Sequence, residues 1–480
     1  MYLTGRDYRM MRERSLAKNT AMLMIGKICT QAVSYFLLPL YTSVLATEEY
    51  GIADLIVTYV SLLYPVVGMQ FEQGLFRMVL DYRDDREDNR TLFSTVMICN
   101  LFQIIAFILL FVPIKTLINS KYAIFLLPLV IIQILQGTFL QFARGIDRTD
   151  IYTIGSFIFA VLHVGVNAIL VGIIRVGLTG MFYSMIIAGI GSSLYVFIRL
   201  KIWIYFDIRL FNKHYFCEVA KYSIPLIPNQ LAWWVINVSD RTIIVYYLGV
   251  GANGIYSLAN KFSSVYIIFY NYFNMSWTES VSLAINDADK NEYISRMINI
   301  FFNLIAALCI GIIACMPFVF PILVNQAYKA SYYQIPILMI AVFFQALQGL
   351  YSAIYVALKK TKEIAKTSII SAFINLFVNL MLIRRFGLFA ASASTLVAFF
   401  LMALYRYFDV KKYVPIKIDI KNILFGMVTC CIVCIAYYNE NLIICAGVFL
   451  IACAYSVLIN KGLLSKSIEI IKQKTRKIGR

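Results

Sequence analysis

Apolar stretches of about twenty residues, parted by short charged or turn-rich breaks, recur along this 480-residue chain from Thr20 to Asn460. An α-helix of about 20 residues crosses the ~30 Å hydrocarbon core of a bilayer. The pattern predicts fourteen transmembrane helices, at residues 20–44, 50–70, 92–113, 122–143, 151–174, 177–199, 222–248, 253–276, 297–320, 333–358, 364–383, 387–407, 421–438 and 441–460. The connecting segments are too short for a soluble catalytic domain. The first run, Ala21 to Val44, is longer than the hydrophobic core of a signal peptide, about 7–15 residues. It reads as an uncleaved span.

Composition agrees with that pattern. The chain is 61% hydrophobic and only 14% charged, with mean hydropathy +0.77, whereas globular domains carry about 25% charge. The net charge of +18 has a direction: 34 of the 43 lysines and arginines fall on the side of the N-terminus, six on the other. By the positive-inside rule both termini are cytoplasmic, and the charge faces anionic lipid headgroups. Spread over short loops, it does not suit nucleic acid. A basic tail with Leu463, Leu464, Ile468, Ile470 and Ile471 has the makings of an interfacial amphipathic helix. The cysteines show no paired metal-ligand spacing, so no metal site or cofactor is expected.

The chain also repeats itself. Shifted by 203 positions, Ala17-Lys18 falls on Ala220-Lys221, Gly51-Ile52 on Gly254-Ile255 and Ser61 on Ser264. Near 210–212, Asn167 falls on Asn379, Gly177-Leu178 on Gly387-Leu388, and Leu194-Tyr195 on Leu404-Tyr405. The reading is therefore an all-α polytopic protein. It has an N-lobe (1–200, helices 1–6), a C-lobe (201–412, helices 7–12) and a C-terminal two-helix hairpin with a basic tail (413–480). Two six-helix repeats of like topology, related by an axis along the membrane normal, are transporter architecture.

Polar residues inside spans are costly and mark wet cavities or partners. Lys27, Gln31 and Ser34 make one stripe on span 1, and Gln230, Trp234, Asn237 and Arg241 make another on span 7. Gln230 occupies the repeat position of Lys27. Asp240 and Lys261 lie at similar depth across a hairpin, so an ion pair between them is one reading and a wet site the other; span 8 also holds Asn260. His163 with Asn167, and Asn375 with Asn379, read first as interhelical hydrogen-bonding pairs; His163 is also a candidate proton-coupling site, since histidine ordinarily titrates near neutral pH. Pro39 in span 1 and Pro225 and Pro228 in span 7 mark kinks and candidate gating points. Lys27 and Arg241 suit an anionic substrate; Trp234 and the amides suit sugar rings.

One stretch is specific enough to resemble a known family. It runs Lys221-Tyr222-Ser223-Ile224-Pro225-Leu226-Ile227-Pro228-Asn229-Gln230, then Ser239-Asp240-Arg241-Thr242, Tyr247-Leu248-Gly249 and Asn253-Gly254-Ile255-Tyr256-Ser257-Leu258-Ala259-Asn260-Lys261. The first half adds Glu48-Glu49-Tyr50-Gly51-Ile52, Leu75-Phe76-Arg77 and Phe142-Ala143-Arg144-Gly145-Ile146-Asp147-Arg148-Thr149. These resemble the Wzx-type polysaccharide flippases, in the superfamily of the MATE multidrug exporters and the lipid II flippases. The resemblance implies two six-helix lobes around a cationic cavity. It also implies movement of a polyprenyl-pyrophosphate-linked oligosaccharide from the inner to the outer leaflet of a bacterial plasma membrane. Pyrophosphate recognition falls on Lys27 and Arg241, and the coupling ion, proton or sodium, stays open.

A MATE-type exporter would call for more buried acids, and a lipid II flippase would share the architecture. An enzyme is not expected: Asp287-Ala288-Asp289 has metal–nucleotide spacing but lies in a short loop, and no nucleophile–base pair or HExxH is present.

Overall fold

The computed structural model describes residues 37–82, 85–117, 120–285, 287–358 and 360–462. Among them the chain is helical, without strands. The first unit holds α1 (Leu38–Val44), α2 (Thr47–Val67), α3 (Phe71–Asp81), α4 (Arg86–Leu117), α5 (Leu126–Gly145), α6 (Thr149–Asn167), α7 (Leu178–Leu200), α8 (Ile202–Tyr205) and α9 (Lys213–Ser223). Helix α10 (Leu226–Leu248) crosses into the second unit. There follow α11 (Val250–Ala284), α12 (Lys290–Leu323), α13 (Ile335–Ala357), α14 (Thr361–Phe386), α15 (Leu388–Val410), α16 (Ile420–Asn439) and α17 (Leu442–Ile459). The compact units are residues 1–235 and 236–480.

Eleven helices among the described residues are long and apolar enough to cross a membrane. Helices α10 and α11, expected as spans 7 and 8, are not among these eleven. Most of the expected first span, and the basic tail beyond residue 462, lie outside the described residues. Several helices outrun the bilayer: α4, α11 and α12 have 32, 35 and 34 residues, about 50 Å at 1.5 Å per residue.

Span 2 departs from expectation. Helix α2 ends at Val67, Met69 and Gln70 take left-handed conformations (φ 49° and 57°), and the chain resumes as α3. The expected loop after residue 70 is thus a second helical segment. Its Gly74 packs against α9 so closely that an added Cβ would stand 2.3 Å from Ser223 Oγ. In span 7, α9 stops at Ser223, Ile224 and Pro225 form a turn, and α10 starts at Leu226. Pro225 and Pro228 have no N–H to offer the carbonyls of Lys221 and Ile224, so the ladder lapses there. Pro39 stands in the first turn of α1 as described, where a missing N–H costs little.

Each unit packs by itself around its even-numbered spans. In the first, α5 lies against α3 and α7, and α7 against α6. In the second, α13 lies against α11 and α15, while α16 and α17 pack on α12. The sequence repeat reappears in the backbone. Gly177, before α7, has φ 68° and ψ −143°, and Gly387, before α15, has φ 55° and ψ −133°. L-residues avoid that region, so both halves need glycine where the sixth span turns in.

Candidate functional site

The residues that converge are those around Asp240. Its carboxylate is buried in the second unit and is met by donors from three helices. Thr395 Oγ1 of α15 donates to Oδ2 at 2.7 Å, Tyr256 Oη of α11 to Oδ2 at 3.1 Å, and Asn379 Nδ2 of α14 to Oδ1 at 2.8 Å. Asn375 extends the cluster, its Nδ2 donating to Thr395 Oγ1 at 3.2 Å. One turn of α14 separates Asn375 from Asn379, which puts both amides on one face.

None of these donors is charged, and Lys261 is not among them. The hydrogen bonds from Asn379 and Thr395 reach Asp240 from α14 and α15. Two acceptors, Asn375 Oδ1 and Asn379 Oδ1, are buried without a hydrogen-bond donor among the described residues. A buried carboxylate ringed by neutral oxygens, with spare amide acceptors, suits a proton or a small hard cation.

The first unit holds the repeat counterpart without the acid. Asn167 Nδ2 donates at 2.7 Å to Tyr41 Oη and at 2.7 Å to Ser184 Oγ. Ser184 Oγ lies 3.2 Å from His163 Nδ1. His163 and Asn167 stand where the repeat puts Asn375 and Asn379. Immediately after Asn167 the helix widens into a π-helical turn, residues 168–173, a distortion frequent at functional sites.

The other sequence candidates are more scattered. Trp234 is half-buried and donates its indole N–H to the Thr58 carbonyl of α2 at 3.2 Å. Gln230 is exposed, and Arg241 and Lys261 are half-buried. Asn260 donates to the Tyr256 carbonyl one turn back, at 3.1 Å. Lys27, Gln31 and the side chain of Asn237 lie outside the described residues.

Two buried charges escaped the sequence reading. Arg406, one residue from the end of the predicted span 387–407 and not singled out there, is 1% exposed inside α15. Its guanidinium donates to Thr367 Oγ1 (2.9 and 2.7 Å), the Ile364 carbonyl (3.1 Å), Ser368 Oγ (3.2 Å), Gln348 Oε1 and Ser352 Oγ. It thereby ties α13, α14 and α15 together. A signal was present: Ala390, Ser394, Ala398, Met402 and Arg406 are spaced by four and all buried. Glu72 was placed past the end of span 2. Because α3 resumes there, Glu72 is buried beside Tyr64, with Oε1 lacking a hydrogen bond among the described residues.

Taken together, the helices and the buried polar clusters define a multi-pass membrane protein with the fold of two-lobed transporters. A family model described as polysaccharide biosynthesis protein matches residues 16–278, more than half of the chain, and the chain belongs to that family. It is 20% identical over 258 residues to the succinoglycan biosynthesis transport protein ExoT of Rhizobium meliloti (strain 1021), covering 52% of this chain and 50% of that protein. The chain thus spans about half the length of that curated relative. Among solved structures it resembles lipid II flippase MurJ in an inward closed conformation, with TM-score 0.66 and 16% identity over 92% of this chain and 99% of that one. It also resembles an inward-facing MATE multidrug transporter of the MOP superfamily, with TM-score 0.64 and 14% identity over 80% and 95% of the two chains. The likeness to Wzx-type flippases read from spans 7 and 8 agrees with these matches.

Proposed function

We propose that the protein is a flippase. It moves a polyprenyl-pyrophosphate-linked oligosaccharide repeat unit from the inner to the outer leaflet of a bacterial plasma membrane, for surface polysaccharide synthesis. The observation that carries this reading is membership of the polysaccharide biosynthesis family by a chain with the fold of a lipid flippase. It works by alternating access through a cationic cavity, with both termini cytoplasmic, and it is not an enzyme.

The roles follow from chemistry. Lys27 and Arg241 neutralise the pyrophosphate, since a doubly anionic group enters a low-dielectric path only beside fixed cations. Gln230, Gln31, Trp234, Asn237, Asn260 and Lys261 line the sugar path, where a ring face stacks on indole and hydroxyls exchange hydrogen bonds with amides. Asp240 couples the cycle: its carboxylate takes a proton or sodium ion from one side and yields it on the other. Ion occupancy alters the bonds that bind α10 to α14 and α15, which is how charge at Asp240 biases the lobe. Pro225 and Pro228 supply the flexure.

Deletion of the gene followed by mass spectrometry of the lipid extract tests the reading. Accumulated polyprenyl-pyrophosphate bearing a complete oligosaccharide, with surface polysaccharide lost, is the expected result. An unchanged lipid-linked pool with altered drug sensitivity would favour a MATE-like exporter, whose fold the chain matches nearly as well. Accumulated lipid II would favour a lipid II flippase.

A further inference from the structure

At one end of the first unit, where α4 begins, α6 begins and α7 ends, lies a cavity of about 470 Å³ lined by four cations, Arg86, Arg148, Arg199 and Lys201. Asn89 and Tyr205 complete its polar wall, and no carboxylate lines it. Arg148 spends two N–H groups on Asp150, each at 3.1 Å. Arg86, Arg199 and Lys201 make no ion pair among the described residues. Like charges lining one cavity repel one another, and an anion bound there relieves that cost. Arginine forks match phosphate oxygens two at a time.

The backbone adds a second observation. Lys201 ends α7 in the left-handed conformation (φ 54°, ψ 52°), its N–H shared between the Phe197 and Ile198 carbonyls. That is the place where a helix ordinarily has glycine. A lysine kept there against its own backbone preference marks a side chain with a task.

What surrounds the cavity selects the source of the anion. Immediately after Lys201, α8 and the segment beyond it present Trp203 (53% exposed), Ile204, Ile208 (68%) and Phe211. Exposed Trp and aliphatic side chains at the end of a membrane bundle mark the level of the headgroups. Basic pockets at that level bind anionic lipid heads.

We propose that this cavity is a binding site for the phosphate of an anionic phospholipid, a permanent lipid contact of the first unit distinct from the transported substrate. Native mass spectrometry of the full-length protein, titrated with phosphatidylglycerol and with phosphatidylcholine, reads the occupancy. The two share a phosphate and differ in net charge. Wild type retains phosphatidylglycerol preferentially, and the triple variant Arg86→Gln, Arg199→Gln, Lys201→Gly binds it about 100-fold more weakly. Brominated phosphatidylglycerol quenches Trp203 in the wild type, read as the difference from Trp203→Phe. Should the triple variant fail to fold, Arg199→Gln alone and this quenching carry the test. Undiminished preference or quenching in the folded variants overturns the site. Displacement of phosphatidylglycerol by millimolar inorganic phosphate overturns the lipid as its occupant.

Discussion

Asp240 and Arg406 are both buried charges in the second unit, and they are satisfied in opposite ways. The Arg406 guanidinium spends its donors on six side-chain and carbonyl oxygens of α13 and α14, leaving it fixed. Arg406→Lys keeps the charge but loses the fork; a loss of about 2–3 kcal/mol is expected for the acceptors left unpaired, measured by unfolding in mixed micelles. The Asp240 carboxylate instead keeps neutral company and idle acceptors around it. Asp240→Asn should preserve the amount of folded protein in membranes while export drops to background and loses its dependence on an ion gradient. Export at wild-type level in that variant removes the coupling role. Asp240 was legible as a polar residue within a span. Its partners were not, because Asn379 and Thr395 lie 139 and 155 positions away. Arg406 was passed over because it stands one residue from the predicted end of span 12, and a hydropathy boundary is uncertain by several residues.

Among the helices, the departures from regularity hold the most information. Prolines announced the interruption at Ile224-Pro225, since a missing N–H is visible in any sequence. Nothing comparable announced the break at Gly68–Gln70, where two non-glycine residues turn left-handed. Tight packing of Gly74 on Ser223 and Val219 accompanies it, and such tertiary constraints leave no local signature. The π-helical turn after Asn167 was equally invisible. If the Pro225 turn flexes during transport, Pro225→Ala with Pro228→Ala lets α9 and α10 fuse and slows export by tenfold or more, about 1.4 kcal/mol on the limiting barrier. Full retention of transport by the double variant would reduce the break to a static bend. Initial rates in vesicles at matched protein levels settle the matter.

For the whole molecule, the helical membrane class and the repeat were readable because apolar length and paired glycines survive as sequence patterns. The attachment of the last two helices was not. They belong to the second unit through α12, and a turn between them secures them: Glu440 accepts hydrogen bonds from Lys329 Nζ at 2.9 Å and from Tyr333 Oη. The Tyr333 hydroxyl first and Lys329 next hold the Glu440 carboxyl below its ordinary value of 4.5. A carboxylate lowered in the folded state adds stability that is complete above the ordinary value and is lost as pH falls through the lowered one. Protection of the amides in residues 438–442, taken relative to the intrinsic exchange rate at each pH, should therefore fall at about pH 3 relative to pH 6. Glu440→Gln should show the lower protection at both; an unchanged contrast in that variant would assign the pH effect elsewhere.

The two repeat-related clusters differ in one respect with a thermodynamic consequence. The Asn379 cluster includes a carboxylate, whereas the Asn167 cluster is built of amide, hydroxyls and imidazole. On the coupling proposed for Asp240, one acid carries one monovalent ion per turnover. Moving that ion across 100 mV yields about 2.3 kcal/mol, a factor of about fifty in the cargo ratio between leaflets. The anionic pyrophosphate moves outward down the same potential and adds about 2.3 kcal/mol for each of its charges, so the cargo's own charge supplies more of the drive than the single ion does.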